Sequence, residues 1–179
     1  MKTNQKIFIT GSSSGIGEAI AYEYASQGAI LGLAARRSEK LETVKAKCME
    51  LGAKNVKNYS LDVSDTEESI SVAKDFVAFD KEGIDIVIAN AGVAVSDNLS
   101  SGDPTKINQN LNINIIGVTN SILPFVPTMK SQKAGNIVIM SSIASFTEPA
   151  YFGGYAASKV AVRRLGDTWR TTLKKHNVK

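Results

Sequence analysis

Two side chains near the end of the chain could carry out acid–base chemistry together. Tyr155 and Lys159 are four residues apart, so on a helix their side chains share a face and can meet. A phenol has an unperturbed pKa of about 10, too high for proton exchange near neutrality, but an adjacent ammonium and a nearby cationic ring favour the phenolate. The pair alone fits a packed tyrosine with a lysine extended above it equally well. It therefore indicates a general acid/base only in the company of other site residues.

A glycine-rich turn near the start of the chain could bind an anion. The apolar run Ile7–Ile9 is followed by Thr10–Gly17, whose sequence is TGSSSGIG, and then by the helical stretch Glu18–Gln27. Such glycines let the backbone turn sharply and bring N–H groups close to a phosphate at a helix N-terminus, where the macrodipole favours negative charge. The spacing differs from the commoner dinucleotide fingerprint G-x-G-x-x-G, so the match is one of mechanism. A plain surface loop rich in serine and glycine is the alternative.

Strands and helices alternate along the chain around these residues. Apolar runs predict the strands, and a capping box at Ser64–Glu67 predicts the start of a helix that buries Ile70. The alternation predicts an α/β fold with a doubly wound, open parallel sheet, Rossmann-like and three-layered, whose ligand binds beyond the carboxyl ends of the strands. The predicted strands are Ile7–Ile9, Ala29–Ala35, Asn55–Val63, Ile84–Ala89 and Gly135–Met140.

Composition narrows the classes of protein that need to be considered. The 179 residues carry a net charge of +4 that is spread along the chain, without the basic block of a nucleic-acid-binding face. Cys48 is the only cysteine, so no intramolecular disulfide can form and a reducing compartment is expected. The first residues, Met1–Lys6, are polar, and no apolar stretch is long enough to span a membrane. We expect a cytoplasmic protein without nucleic-acid, membrane or metal partners.

The motifs occur together in an order and at separations that resemble the short-chain dehydrogenase/reductase family. The resemblance covers essentially the whole chain, and the combination of motifs is highly specific. It implies an oxidoreductase that uses NAD(P) to interconvert a carbonyl and an alcohol by hydride transfer. The motifs that carry it are Thr10–Gly17, Asn90-Ala91-Gly92, Asn114, Ser142 and the pair Tyr155 and Lys159.

The resemblance also implies a role for each catalytic residue. Tyr155 would be the general acid/base, and Ser142 would hydrogen-bond the substrate oxygen. Ser142 is preferred to Ser141 because its separation from Tyr155 fits the family pattern, although a hydroxyl at a strand end can also serve the local backbone. Lys159 would hold the nicotinamide ribose and favour the phenolate. Asn114 would help to order a water that links Lys159 to a proton relay.

The end of the second predicted strand bears on the choice of dinucleotide. An acidic residue there would bind the ribose 2′-hydroxyl of NAD, but Ala35 is followed by Arg36 and Arg37. Guanidinium groups suit a 2′-phosphate, so the sequence predicts NADP over NAD. Asp62 would border the adenine, although it also fits a turn residue before the helix. The predicted cofactor-binding set is Gly11, Ser13, Ser14, Gly15, Ile16, Gly17, Arg36, Arg37, Asp62, Val63, Asn90, Ala91, Gly92, Tyr155 and Lys159.

The chain departs from the resemblance at its end. Family members usually continue beyond the position of Lys179 with a turn over the nicotinamide, a substrate lid and a last strand. We therefore expect one domain over residues 1–179 that lacks the C-terminal portion, with Asn177–Lys179 leading into a sixth strand. Substrate identity and reaction direction do not follow from the sequence.

Three functions stay open at this point. The favoured one is an NADP-dependent oxidoreductase acting on a small carbonyl or alcohol. A dinucleotide-binding module without turnover is the alternative, and a sugar-nucleotide epimerase or dehydratase fits the glycine spacing less well. The family commonly packs the helices that hold Asn114 and Tyr155 against copies of themselves, which implies a homodimer or homotetramer. Trp169 fits either that interface or the core.

Overall fold

Five parallel strands form one sheet with helices on both faces, as a computed structural model describing residues 4–179 shows. The strand order is β3-β2-β1-β4-β5, which confirms the predicted doubly wound fold. The strands are β1 (Lys6–Thr10), β2 (Ile30–Ala35), β3 (Asn55–Ser60), β4 (Ile86–Ala89) and β5 (Asn136–Ile139). The α-helices are α1 (Gly15–Ser26), α2 (Ser38–Glu50), α3 (Thr66–Ala78), α4 (Thr105–Leu111), α5 (Gly117–Ile122), α6 (Val126–Gln132) and α7 (Gly153–Leu173).

The central strand β1 separates two hydrophobic cores. Phe8 points into one core, where its ring lies 5.3 Å from that of Phe76 and 5.0 Å from that of Phe125. Ile7 and Ile9 point into the other core. Side chains alternate between the two faces of a strand, so a strand that is covered on both sides must be apolar throughout. The aliphatic runs in the sequence therefore mark central strands, and their carboxyl ends meet at one edge of the sheet.

A buried lysine lies at the N-terminal end of β1. Lys6 begins β1, is fully buried, and donates from Nζ to the carbonyl oxygens of Val77 and Phe79, at 2.9 and 2.6 Å, and of Lys81. These carbonyls belong to the last turn of α3 and to the residues just after it, where backbone acceptors lack intrahelical partners. Burial lowers the pKa of Lys6 to about 8. The residue thus belongs to the core, rather than to the polar lead-in suggested by Met1–Lys6, whose first three residues lie outside the described chain.

Three local predictions were wrong around β3 and α3. The strand ends at Ser60, earlier than the predicted Val63. The helix is capped by Asp65, whose side chain accepts from the backbone N–H of Glu68 at 2.8 Å, because Ser64 is already engaged with Asp62. Ile70 is exposed rather than buried, since the inward face of α3 carries Ser69, Ala73 and Phe76.

The last described residues run alongside β5. Val178 forms a parallel bridge with Gly135, and the backbone N–H of Ile137 donates to the carbonyl of Lys179 at 2.7 Å. This pairing is the beginning of strand-like contact that the sequence predicted for Asn177–Lys179. Trp169 packs against the core beside it, so it does not stand out as a separate surface feature.

Candidate active site

The glycine turn is shaped by two close backbone approaches. Gly11 has a φ of +68°, a conformation that disfavours side chains, and a Cβ there would lie 2.8 Å from the Cα of Ala91. A Cβ on Gly17, at the start of α1, would meet the carbonyl of Gly11 and the side chain of Asn90. Only glycine fits at these two positions, so the first turn of α1 can lie directly against the ends of β1 and β4.

Polar contacts tie the ends of those two strands together. The hydroxyl of Thr10 accepts from the backbone N–H groups of Asn90 and Ala91, both at 3.2 Å. The side-chain amide of Asn90 donates to the carbonyls of Thr10 and Gly11, at 3.0 and 3.2 Å. The glycine turn is therefore held by hydrogen bonds from the end of β4. The side-chain amide of Asn90 contributes to these bonds, so it stabilises the fold.

A cleft of about 320 Å³ opens beyond these strand ends. Most of the predicted cofactor-binding residues line it together, whereas Gly15 and Gly17 shape the turn, and Tyr155 and Lys159 lie outside its lining. Four lining residues were not in the predicted set: Ala35, Leu61, Val93 and Ile113. Each precedes or follows a motif residue directly, which is the only signal the sequence offered. The full lining is Gly11, Ser13, Ser14, Ile16, Ala35, Arg36, Arg37, Leu61, Asp62, Val63, Asn90, Ala91, Gly92, Val93 and Ile113.

Two arginines give one end of the cleft a positive charge. The Nη2 of Arg37 donates to the hydroxyls of Ser13 and Ser14, at 2.9 and 2.6 Å. Arg36 also lines the cleft, and its charge contributes to lowering the pKa of Asp62. The larger cause of that lower pKa is hydrogen bonding from the backbone N–H and hydroxyl of Ser64. Asp62 therefore stabilises the turn before α3 and also lines the cleft, so both interpretations of its position in the sequence apply.

Tyr155 and Lys159 meet on α7 as their spacing predicted. The Nζ of Lys159 lies 5.7 Å from the centroid of the Tyr155 ring and donates to the carbonyl of Met140 at 2.8 Å. The lysine is buried, and this burial lowers its pKa below the ordinary value. Tyr155 is half-buried, and its hydroxyl makes no hydrogen bond to any residue in 4–179. The arrangement leaves a phenol open to a ligand with an ammonium beside it.

The two serines after β5 have different partners. Ser141 donates its hydroxyl to the carbonyl of Lys159 at 3.2 Å, which fastens the end of the strand to α7. The hydroxyl of Ser142 accepts from the backbone N–H of Ala144 at 3.2 Å, and its proton has no acceptor among the described residues. Local backbone capping thus accounts for one lone pair of Ser142. Its donor is available for a substrate oxygen, which is the role that the resemblance implies.

Asn114 joins the segment after β4 to α7. Its side chain accepts from the backbone N–H of Val93 at 2.8 Å and donates to the carbonyl of Val93 at 2.8 Å and to the hydroxyl of Ser158 at 3.0 Å. It lies in a π-helical turn, Asn112–Ile116, between α4 and α5, a distortion that is frequent at functional sites. The side chain is occupied by these contacts.

Gly92 lies between the cleft and the candidate catalytic residues. It lines the cleft, and a Cβ on it would lie 3.0 Å from Oδ1 of Asn114 and 3.5 Å from Nζ of Lys159. The cleft and the Tyr155–Lys159 pair therefore share this glycine as a wall. Within residues 4–179, no cluster of three metal-binding side chains occurs, and no helix is long and apolar enough to cross a membrane.

The whole of this site lies within a stretch that matches one family. A family model described as short chain dehydrogenase matches residues 5–179. The chain belongs to the short-chain dehydrogenase family. Its sheet order and its glycine turn are those of the family's NAD(P)-binding fold.

Relatives in the short-chain dehydrogenase family are longer than this chain. An uncharacterized oxidoreductase of Listeria innocua is 41% identical over 175 residues, which cover 93% of this chain and 66% of the relative. A hydroxysteroid 11-beta-dehydrogenase 1-like protein of Xenopus tropicalis is 32% identical, covering 97% of this chain and 60% of that protein. The chain thus spans about two thirds or less of the length of these relatives.

A solved structure of the family gives a close match to the fold. An alcohol dehydrogenase of the archaeon Thermococcus sibiricus, complexed with 5-hydroxy-NADP, is 31% identical with a TM-score of 0.87, covering 94% of this chain and 71% of that one. Similar solved structures hold either dinucleotide, since an NAD+-bound xylitol dehydrogenase is 28% identical with a TM-score of 0.90, covering 100% of this chain and 69% of that one.

Proposed function

We propose that the protein is an NADP-dependent oxidoreductase that interconverts a carbonyl and an alcohol, with Tyr155 as its general acid/base. The observation that carries this proposal is the buried ammonium of Lys159, placed 5.7 Å from the Tyr155 ring and against the Gly92 wall of the cleft. A buried cation beside an unpartnered phenol is costly unless the phenol's anion is to be stabilised. That cost is typical of a site built for proton transfer.

The cleft fits a dinucleotide by its donors and by its shape. The Gly11 turn and the N-terminus of α1 offer backbone N–H groups and a positive dipole end, which suit a pyrophosphate. The guanidinium of Arg37, held by Ser13 and Ser14, suits a 2′-phosphate on the ribose, and Arg36 adds charge at the same end. Asp62 and Val63 would border the adenine, and Asn90, Ala91 and Gly92 the neighbouring ribose.

The chain's own residues then divide the proton chemistry. When bound, NADPH supplies the hydride that reduces the carbonyl carbon. Tyr155 gives its phenol proton to the carbonyl oxygen, while the free hydroxyl proton of Ser142 donates a hydrogen bond to the same oxygen. The ammonium of Lys159 stabilises the phenolate that remains, and its hydrogen bond to the carbonyl of Met140 keeps it in place. In the oxidation of an alcohol the same steps run in reverse.

The test is consumption of NADPH by the purified chain with a panel of aldehydes and ketones, and of NADP with the corresponding alcohols. We expect turnover with at least one compound and tighter binding of NADP than of NAD by calorimetry. Equal affinity for the two dinucleotides would overturn the cofactor choice. A rate retained in Tyr155→Phe would overturn the mechanism.

A dinucleotide-binding module without turnover is the second candidate. It is favoured by one observation: the chain spans 66% or less of the relatives named above, while its cofactor cleft is lined by residues within the chain. This candidate requires a rise in melting temperature with NADP and no hydride transfer with any compound of the panel. The same two measurements therefore separate the candidates.

Self-association into a homodimer or homotetramer belongs to the same proposal. The helical segments that hold Asn114 and Tyr155 expose apolar side chains, namely Ile116, Leu123 and Val160. Exposed apolar side chains on neighbouring helices favour an interface. Light scattering of the purified chain tests this, and a monomer at micromolar concentration would contradict it. A cytoplasmic location is also proposed, since Cys48 is a free, buried thiol.

A further inference from the structure

Asn110 is a buried amide that neither the motifs nor the proposed mechanism uses. It is fully buried on α4, one turn before Asn114. Its Oδ1 accepts from the backbone N–H of Val95 at 3.0 Å, and its Nδ2 donates to the carbonyls of Val95 at 2.8 Å and of Lys106 at 3.2 Å. A buried amide with three partners is expected to contribute to order as well as to stability. The question is which part of the molecule it orders.

Asn110 and Asn114 grip the segment after β4 in the same way. Asn114 pairs with both backbone groups of Val93, and Asn110 pairs with both backbone groups of Val95. Two side-chain amides, one helical turn apart, thus replace the hydrogen bonds that a neighbouring strand would give to alternate residues. Exposure alternates in step, because Gly92, Ala94 and Ser96 are exposed, whereas Val93 and Val95 are half-buried.

The exposed row therefore starts at the wall shared by the cleft and Lys159. Gly92 and Val93 both line the cleft, and Gly92 also lies against Nζ of Lys159, so the exposed residues Ala94 and Ser96 continue the chain directly from this wall. At the next residue, the backbone N–H of Asp97 donates to the carbonyl of Tyr151 at 2.6 Å, in the loop that leads into α7. The segment from 92 to 97 is thus attached to elements on both sides of Tyr155.

Asn110 also lies against the beginning of α7. A Cβ on Gly154, the residue before Tyr155, would lie 3.5 Å from Nδ2 of Asn110 and 3.2 Å from the Cα of Ile107. The absence of a side chain at Gly154 lets α4 and α7 approach each other at this point. One amide is therefore in reach of both the segment after β4 and the turn that carries the phenol.

We propose that Asn110 is a positioning residue, which holds Val95 and with it the row Gly92, Ala94 and Ser96 at a fixed distance from Tyr155. Its catalytic consequence rests on the proposed function, because it requires that this row form one wall of the substrate-binding site. Asn110 touches neither the cleft nor the reacting groups, so its removal acts on substrate binding more than on the chemical step. Asn114 holds Val93 independently, so the cofactor side of the segment stays in place.

Amide hydrogen exchange of the whole chain tests the grip directly. In Asn110→Ala we expect exchange at Val95 to rise about fivefold or more, since its backbone N–H loses the side-chain acceptor, while Val93 keeps its protection. Asn108→Ala is the matched control, because Asn108 is an exposed amide on the same helix. Unchanged exchange at Val95, or equal loss at Val93 and Val95, would overturn the proposal.

Steady-state kinetics test the consequence. Asn110→Ala should raise KM for the carbonyl substrate about tenfold, with kcat and the Kd for NADPH changed less than about threefold. Asn110→Asp should show a KM that falls as the pH is lowered, because the protonated carboxyl regains a donor toward Val95 or Lys106. A KM equal to that of Asn108→Ala would refute the positioning role. If the wild type turns over no compound, the proposed function fails, and exchange at Val95 alone decides whether Asn110 holds the segment.

Discussion

The strands on the cofactor side of the sheet are more deeply buried than the strand β5 at the other side. Every residue of β1 and β2 is buried, and the carboxyl ends of β1 and β4 are joined by Thr10 and Asn90. In β5 the residues alternate between exposed and half-buried. The loops after β5 leave Ile143 at 76% and Phe146 at 69% of full exposure.

This difference separates two kinds of residue. On the cofactor side, several groups that would hold a dinucleotide already have protein partners, as Gly11, Asn90 and Arg37 do, so a substitution there removes a contact within the protein as well as one to the ligand. On the β5 side, the groups proposed to act on a substrate keep hydrogen-bonding capacity that no described residue uses, as the hydroxyls of Tyr155 and Ser142 do. A substitution there should change activity with little change in stability.

The largest effect is expected on the β5 side, from Tyr155→Phe. Loss of a general acid/base lowers kcat/KM by about a thousandfold. The free energy of unfolding should stay within about 0.5 kcal/mol, because the hydroxyl has no protein partner in the described chain. NADPH oxidation and urea denaturation measure the two quantities. A loss of stability comparable to the loss of activity would erase the distinction between the two sides.

Lys6→Met should give the largest loss of stability. Methionine fills much of the space of lysine, but it removes the ammonium that joins the carbonyls of Val77, Phe79 and Lys81. We expect a cost of about 3 kcal/mol in the free energy of unfolding. Lys57→Met is the control, because Lys57 is an exposed partner of Asp75 whose ion pair contributes about 0.5 kcal/mol. Similar costs for the two variants would show that Lys6 does not support α3.

Arg37→Ala should weaken NADP binding about 30-fold, because hydrogen bonds to a charged group are worth about 2 kcal/mol. NAD binding should stay nearly unchanged, since NAD has no 2′-phosphate. Lys40→Ala is the matched control, as Lys40 is an exposed cation on α2 that does not line the cleft. Calorimetry with both dinucleotides measures the effect. An equal loss of affinity for NADP and NAD would place Arg37 elsewhere on the ligand.

The smallest effect concerns acid sensitivity on the cofactor side. Hydrogen bonds from Ser64 hold the pKa of Asp62 below its ordinary value. A carboxyl whose pKa is lower in the folded state contributes stability above its unfolded pKa and loses that contribution as the pH falls through the folded value. Because Asp62 is largely screened by solvent, the contribution should be under about 1 kcal/mol.

Urea denaturation near neutrality and below a pH of about 4 measures this contribution. Asp62→Asn should be slightly less stable near neutrality and should lose less stability in acid than the wild type. Ser64→Ala should fall between the two, since it removes the hydroxyl donor and keeps the backbone donor. Identical acid dependence in the wild type and Asp62→Asn would contradict the linkage.

What could be predicted from the sequence follows from how local each signal is. The central strands and the helix pairing of Tyr155 with Lys159 depend on spacing along one element, and the structure shows them. The burial of Lys6 depends on carbonyls more than 70 residues away in sequence, as the separation of 71 from Val77 shows. The pattern of residues in β1 alone therefore could not predict these carbonyl partners of Lys6.

The remaining misses have the same origin. Ser64 and Asp65 can both cap a helix, and the choice fell to Asp65 because Asp62 recruits Ser64. Asn110 lies among other amide residues in a polar stretch, so the sequence does not indicate that it is the buried one. Its burial depends on its contact with Val95. Competition between equivalent polar groups is settled by tertiary contacts, which a single sequence does not show.

The placement of β1 has a consequence for how the protein is made. The middle strand of the sheet, β1, is synthesised before the other four described strands. Its contact with the β4 side, such as the hydrogen bond from the backbone of Lys6 to Asp85 at 2.8 Å, spans 79 residues. A nascent chain must therefore carry an apolar strand with one edge unpaired until β4 has been synthesised. During that interval the aliphatic run Ile7–Ile9 is a natural binding segment for chaperones.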